Sequence, residues 1–136
     1  MKVLIAEDDQ DQLELRSLLL SQSGFEAIPA RDSAAALRAA ADQKPECAVV
    51  DLRLPAEEHG LGLIRALKAL DAAMRIVVLT GINTTRFKHL PENALVDQVI
   101  EKGSSSAQLV ATIRAWERAR RHPEEAKGGV RDHNRS

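Results

Sequence analysis

The chain of 136 residues is poor in aromatic side chains: two Phe, one Trp and no Tyr. Without a row of rings it has no stacking platform for single-stranded nucleic acid. Cysteine is almost absent as well. Cys47 stands alone and cannot close an intrachain disulfide, which agrees with a reduced, cytoplasmic setting. It precedes Ala48-Val49-Val50 and reads as a buried strand residue rather than a reactive thiol. Neither sign of charge dominates: 19 Lys and Arg face 20 Asp and Glu, for a net charge of −1. There is therefore no electrostatic case for nucleic acid or an anionic membrane as the main partner. Long apolar runs are missing too. Val3 to Ala6 is cut short by Glu7-Asp8-Asp9, whereas a secretory leader needs about 7 to 15 apolar residues and a bilayer span about 18. The length suits one compact domain with a core of Leu, Val, Ile and Ala.

Short apolar runs alternate with helical spacing. Val3 to Ala6 predicts a buried strand. Asp11 to Ser21 predicts a helix closed by Gly24. Phe25 to Ile28 is a weaker strand ending at Pro29. Asp32 or Ser33 caps an alanine-rich helix from Ala34 to about Ala41. Cys47 to Val50 is a second strongly apolar strand. Gly60 to about Leu70 is a helix with Leu63, Ile64 and Leu67 on one face. Ile76 to Leu79 is a strand, Thr84 to Leu90 a short helix stopped by Pro91, and Val96 to Ile100 a fifth strand. One of Ser104, Ser105 and Ser106 caps a last helix carrying Leu109, Ile113 and Trp116. These are five βα units, and strands apolar on both faces predict a parallel sheet covered by helices on both sides, in three α/β/α layers. Residues 121–136, with Pro123, Gly128 and Gly129 among mixed charges, read as a disordered polar tail after a domain of residues 1–120.

In such a sheet ligands bind beyond the carboxyl ends of the strands. Polar residues collect there from four separate strands: Glu7-Asp8-Asp9 after the first, Asp51 after the third, Thr80-Gly81 after the fourth and Lys102-Gly103 after the fifth. Each taken singly has an ordinary reading as a cap, a turn residue or a surface charge. Together they have a chemical one. Clustered carboxylates suit a hard divalent ion such as Mg²⁺, which takes oxygen ligands. A carboxylate beside that ion can act as a nucleophile toward phosphorus. An ammonium and a hydroxyl can then meet the charge on the transferring phosphoryl oxygens.

The segments Val-Leu-Ile-Ala-Glu7-Asp8-Asp9, Val-Val-Asp51-Leu-Arg-Leu-Pro55, Ile-Val-Val-Leu-Thr80-Gly81 and Val-Ile-Glu-Lys102-Gly103 resemble the bacterial response regulator receiver domain, as in the chemotaxis response regulator. The resemblance covers residues 2 to about 120. It implies a flavodoxin-like doubly wound sheet of five parallel strands in order 2-1-3-4-5 with five helices. It implies that Asp51 is the phosphoacceptor and that Asp8 is a direct Mg²⁺ ligand, with Glu7 as the second acid, often through water. The backbone carbonyl of Arg53 is the implied third protein ligand. Thr80 is implied as the switch hydroxyl and Lys102 as the ammonium that pairs with the phosphoryl group.

Four departures from the family pattern stand out. Lys-Pro is replaced by Lys102-Gly103, for which a trans bond is expected because a non-proline cis bond costs about 2.5 to 4 kcal/mol. The aromatic switch position is Val99. Pro91 cuts the fourth helix short, leaving irregular chain from Pro91 to Asn93. The loop from Pro55 to Gly60 is one residue longer than the common version. The acidic pocket is untouched, but the face of the fourth helix, fifth strand and fifth helix, the family's usual output surface, is altered.

The expectation is a stand-alone, cytoplasmic, single-domain response regulator, a phosphoacceptor with self-catalysed phosphorylation and dephosphorylation rather than an enzyme acting on a separate substrate. Its partners would be a sensor histidine kinase or histidine phosphotransfer protein and a downstream protein target, with no nucleic acid and no membrane. It would be a monomer or weak homodimer. The alternative is a degenerate receiver, a binding module that works without phosphorylation. An aspartate-dependent phosphatase is disfavoured by Arg53, where such enzymes carry an acid. A flavodoxin-like cofactor binder is disfavoured by the lack of a Gly- or Ser/Thr-rich phosphate loop after the first strand.

Overall fold

The computed structural model describes residues 1–81, 84–103 and 106–121. Five strands, β1 (Lys2–Ala6), β2 (Glu26–Ala30), β3 (Cys47–Asp51), β4 (Arg75–Thr80) and β5 (Gln98–Glu101), alternate with five helices, α1 (Gln10–Gln22), α2 (Ser33–Gln43), α3 (Glu57–Leu70), α4 (Thr84–Lys88) and α5 (Ser106–Arg121). The strands form one sheet in the order β2-β1-β3-β4-β5, and every pairing is parallel. This is the doubly wound arrangement expected from the alternation.

The period of two along each strand sorts the core into two layers. Leu4, Ala48, Val50, Ile76 and Val78 face α2, α3 and α4, meeting Ala36, Ala40, Leu63, Ile64, Leu67 and Phe87. Val3, Ile5, Cys47, Val49, Val77 and Leu79 face α1 and α5, meeting Leu13, Leu20, Leu109 and Ile113. Trp116 packs at the margin of this second layer, as its spacing on α5 predicts.

Several boundaries differ from the sequence reading, each for a local reason. The strand β2 runs through Pro29, which sits opposite Ile5, because β2 is an edge strand and the missing N–H faces away from the sheet. The helix α3 starts three residues before Gly60. Inside it, Gly60 packs so closely on the backbone of Leu52 that any Cβ would collide with the Leu52 carbonyl. The strand β5 begins at Gln98 rather than Val96. The helix α4 is only five residues long, and Pro91–Leu95 forms a 3₁₀ turn where irregular chain was expected. Proline suits the first position of such a turn, where its N–H is not needed. Leu54–Pro55 is the only cis peptide among the described residues, so Lys102–Gly103 is trans as expected. Gly103 has φ +95°, a left-handed conformation that proline cannot adopt. The helix α5 reaches Arg121; the rest of the expected tail lies outside the described residues, as do Ser104 and Ser105.

Candidate functional site

The chain leaves β1 toward β2 on one side and leaves β3 toward β4 on the other, so a crevice opens above the carboxyl ends of β1 and β3. Glu7 follows β1 directly and is only 1% exposed. Asp8 comes next and is half-buried. Asp51 ends β3 and is buried. The three place ligand oxygens within 4.8 Å of one another. They line a cavity of about 560 Å³ together with Asp9, Gln12, Arg16, Arg53, Pro55, Lys102 and Gly103.

Both Asp51 oxygens are engaged. Oδ1 accepts from the backbone N–H of Arg53 at 3.1 Å, and Oδ2 accepts from Lys102 Nζ at 2.8 Å. Lys102 reaches the site because its own N–H donates to the Thr80 carbonyl at 2.7 Å, tying the end of β5 to the end of β4. Its ammonium also lies 3.9 Å from Glu7 Oε1. Thr80 closes β4 and is buried. Val99 is half-buried against the layer beneath α2 and α3, and the position carries no ring. The side chain of Arg53 is exposed at the rim. Asp9 caps α1 by accepting from the Gln12 N–H at 3.0 Å, and its own N–H donates to Glu7 Oε2 at 3.1 Å. His59 and His89 are exposed.

Burial pushes the Glu7 carboxyl above its ordinary pKa, and the neighbouring Asp51 carboxylate pushes the same way; Arg16 and the Asp9 N–H pull it back. Arg16 is the residue that the sequence reading missed. Its guanidinium forms an ion pair with Glu7 and donates to Gln12 Oε1 at 3.3 Å. Asp9, Gln12 and Arg16 recur at intervals of three and four, which places them on one face of α1 above the pocket. That spacing from the cap was the available clue.

The donor set fits Mg²⁺. It is made of carboxylate oxygens only, without the imidazole or thiolate that a softer ion prefers. Glu7, Asp8 and Asp51 would hold the ion.

The model of the response regulator receiver domain family matches residues 3–114, and the chain belongs to that family, a part of two-component signalling. Among curated proteins it is 33% identical over 119 residues to the transcriptional regulatory protein PrrA of Mycobacterium tuberculosis, covering 88% of this chain and 51% of that one. It is 32% identical over 124 residues to the DNA-binding response regulator MtrA of Mycobacterium leprae, covering 91% of this chain and 53% of that one. The chain thus spans about half the length of the curated relatives it matches. Among solved structures it resembles a CheY-like receiver domain from Methylobacillus flagellatus, with 28% identity, a TM-score of 0.73 and coverage of 85% of this chain and 97% of that one. A CheY-like receiver from Methanospirillum hungatei, 23% identical, shares the fold with a TM-score of 0.78 over 91% of this chain and 97% of that one. No helix among the described residues is long and apolar enough to cross a membrane.

Proposed function

We propose that this receiver takes a phosphoryl group from a phospho-histidine of a sensor kinase or phosphotransfer protein onto Asp51, in a reaction that depends on Mg²⁺. The observation that carries this reading is the placement of Lys102 Nζ 2.8 Å from the oxygen of a buried Asp51, beside Glu7 and Asp8. Bound Mg²⁺ would offset negative charge on the phosphoryl oxygens. The residues of the chain do the rest. The Arg53 N–H fixes the Asp51 carboxylate in one orientation, leaving it a preorganised nucleophile. Lys102 is already in position to meet a phosphoryl oxygen. Thr80, at the end of the adjacent strand, is the hydroxyl that answers the new group. Glu7 and Asp8 supply the negative charge that recruits the cation.

The output is proposed to be altered. With Val99 in the switch position, no ring can turn in answer to Thr80. The five-residue α4 is braced to α3 by an ion pair of Arg86 with Glu57 at 2.6 Å, and the 3₁₀ turn after it by an ion pair of Arg65 with Glu92. The receiver would signal by protein–protein contact or by passing the phosphoryl group on, as a cytoplasmic monomer or weak homodimer. The DNA binding in the name of MtrA is a property of that longer protein; for the present residues we propose protein partners.

Intact mass after incubation with acetyl phosphate, with and without Mg²⁺, tests the reading on the native chain and on Asp51→Ala. A gain of one phosphoryl group that needs both Mg²⁺ and Asp51 supports it. No gain from acetyl phosphate or from phospho-histidine donors contradicts it.

A further inference from the structure

The residue least explained by phosphoryl acceptance is Arg16. Its polar partners are Glu7 and Gln12, not Asp51. It pairs with Glu7, whose side chain is 1% exposed, while that of Arg16 is 13% exposed. Both oxygens of Glu7 are engaged: Oε1 by Arg16 with Lys102 at 3.9 Å, and Oε2 by the Asp9 N–H. Among the described residues, Arg16 and Lys102 are the cations paired with Glu7. Lys102 sits closer to Asp51, at 2.8 Å. The neutralisation of Glu7 therefore falls mainly to Arg16.

We infer that Arg16 is a built-in counter-ion that competes with the divalent cation for Glu7 and so sets the cation affinity of the acidic pocket. This rests on the reading of Glu7, Asp8 and Asp51 as a metal site. Two positive charges cannot share a buried carboxylate without mutual repulsion, and that repulsion is poorly screened in a partly buried site. The guanidinium also has somewhere to go. A second cavity of about 240 Å³ adjoins it between α1 and the start of α5, and Leu15, Glu101 and Ser106 line its wall. Apart from Glu7, Arg16 is held by Gln12, an exposed side chain at 3.3 Å. Arg16 is accordingly a positioning residue that acts through Glu7.

The role predicts opposite effects in one variant. Loss of the Arg16 charge removes a partner from a buried carboxylate, so the metal-free protein becomes less stable. The same loss removes a competitor, so Mg²⁺ binds more tightly, on the order of tenfold. A merely structural arginine would weaken both. The experiment is calorimetric titration of Mg²⁺ into the native chain, Arg16→Gln and Arg16→Lys, with urea unfolding of each in a chelator. Expected are tighter Mg²⁺ binding and lower chelated stability for Arg16→Gln, and near-native values for Arg16→Lys. Arg16→Met keeps the aliphatic length and carries the same test if the glutamine variant does not fold. Mg²⁺ binding by the charge-removed variant that equals or falls below that of the native chain overturns the inference, and so does equal tightening by the lysine variant. If native and variant proteins alike bind no Mg²⁺, the metal-site reading falls and the inference falls with it.

Discussion

The ammonium of Lys102 lies 2.8 Å from Asp51 and 3.9 Å from Glu7, so one cation from the end of β5 spans carboxylates from β3 and β1. It bridges the two acids across the pocket, and under the proposed function it is the group that would meet a phosphoryl oxygen. Replacement by alanine is expected to slow phosphorylation by about 100-fold, the scale for loss of one preorganised donor. Mg²⁺ binding should persist, because the loss leaves all three acids in place. Rates of phosphorylation by acetyl phosphate, measured beside calorimetric Mg²⁺ titration, separate the two effects. A variant that is phosphorylated at the native rate would remove Lys102 from the mechanism.

Gly60 is expected to tolerate no side chain. Its approach to the Leu52 carbonyl seats α3 on the segment that follows Asp51. Gly60→Ala would have to push backbone away from backbone, with a cost of about 1 to 3 kcal/mol or more. Urea unfolding followed by the fluorescence of Trp116 measures it. Gly62→Ala, where an added Cβ would meet only the end of the Arg65 side chain at 3.7 Å, should be harmless and serves as the control.

Phe87 is the anchor of α4. It is 1% exposed and packs in the layer shared with α2 and α3. Phe87→Ala should destabilise the domain by about 3 kcal/mol and speed amide exchange in α4 and the 3₁₀ turn. The acidic pocket is built by other elements, so Mg²⁺ affinity should hold. Exchange measured by mass spectrometry checks the locality. Equal loss of protection in β1 and β3 would show that α4 is not a separable part.

The Cys47 thiol gives a pH signature. Burial pushes its pKa from the ordinary 9.0 up to about 12. The folded protein thus holds this proton more tightly than the unfolded chain does. Its contribution is fully present below pH 9 and is lost as pH rises from about 9 toward 12, with a slope of up to about 1.4 kcal/mol per pH unit. Stability of the native chain should fall faster over this range than that of Cys47→Ala. At pH 8 the folded protein should leave a thiol reagent unreacted, and urea should expose the thiol. Rapid reaction in the folded state would contradict the burial.

Much of this was legible in the residues. Alternating buried strands such as Ala48-Val49-Val50 and the capping of α1 and α2 by Asp9 and Asp32 follow from local rules. The convergence of Glu7, Asp8, Asp51 and Lys102 follows from the topology of parallel sheets, because each lies at a strand end. What was hidden depends on contacts between distant segments. Pro29 within β2 depends on that strand being an edge. The early start of α3 depends on how Gly60 meets Leu52. The pairing of Arg16 with Glu7 depends on a helix face turned toward the pocket, and a charged residue on a surface helix reads first as solvated. The 3₁₀ turn at Pro91 lacks the periodicity that marks a longer helix.

Asp51 is proposed as the residue that takes the phosphoryl group. Borohydride reduces an acyl phosphate, converting the modified aspartate to homoserine, while an unmodified carboxylate is left alone. The measurement is peptide mapping by mass spectrometry after incubation with acetyl phosphate and Mg²⁺ and then reduction. Conversion confined to residue 51, and absent when Mg²⁺ is withheld, is the predicted result. Conversion at another acid, or none after efficient phospho-histidine donors, would contradict the account and leave the pocket as part of a binding module that works without phosphorylation.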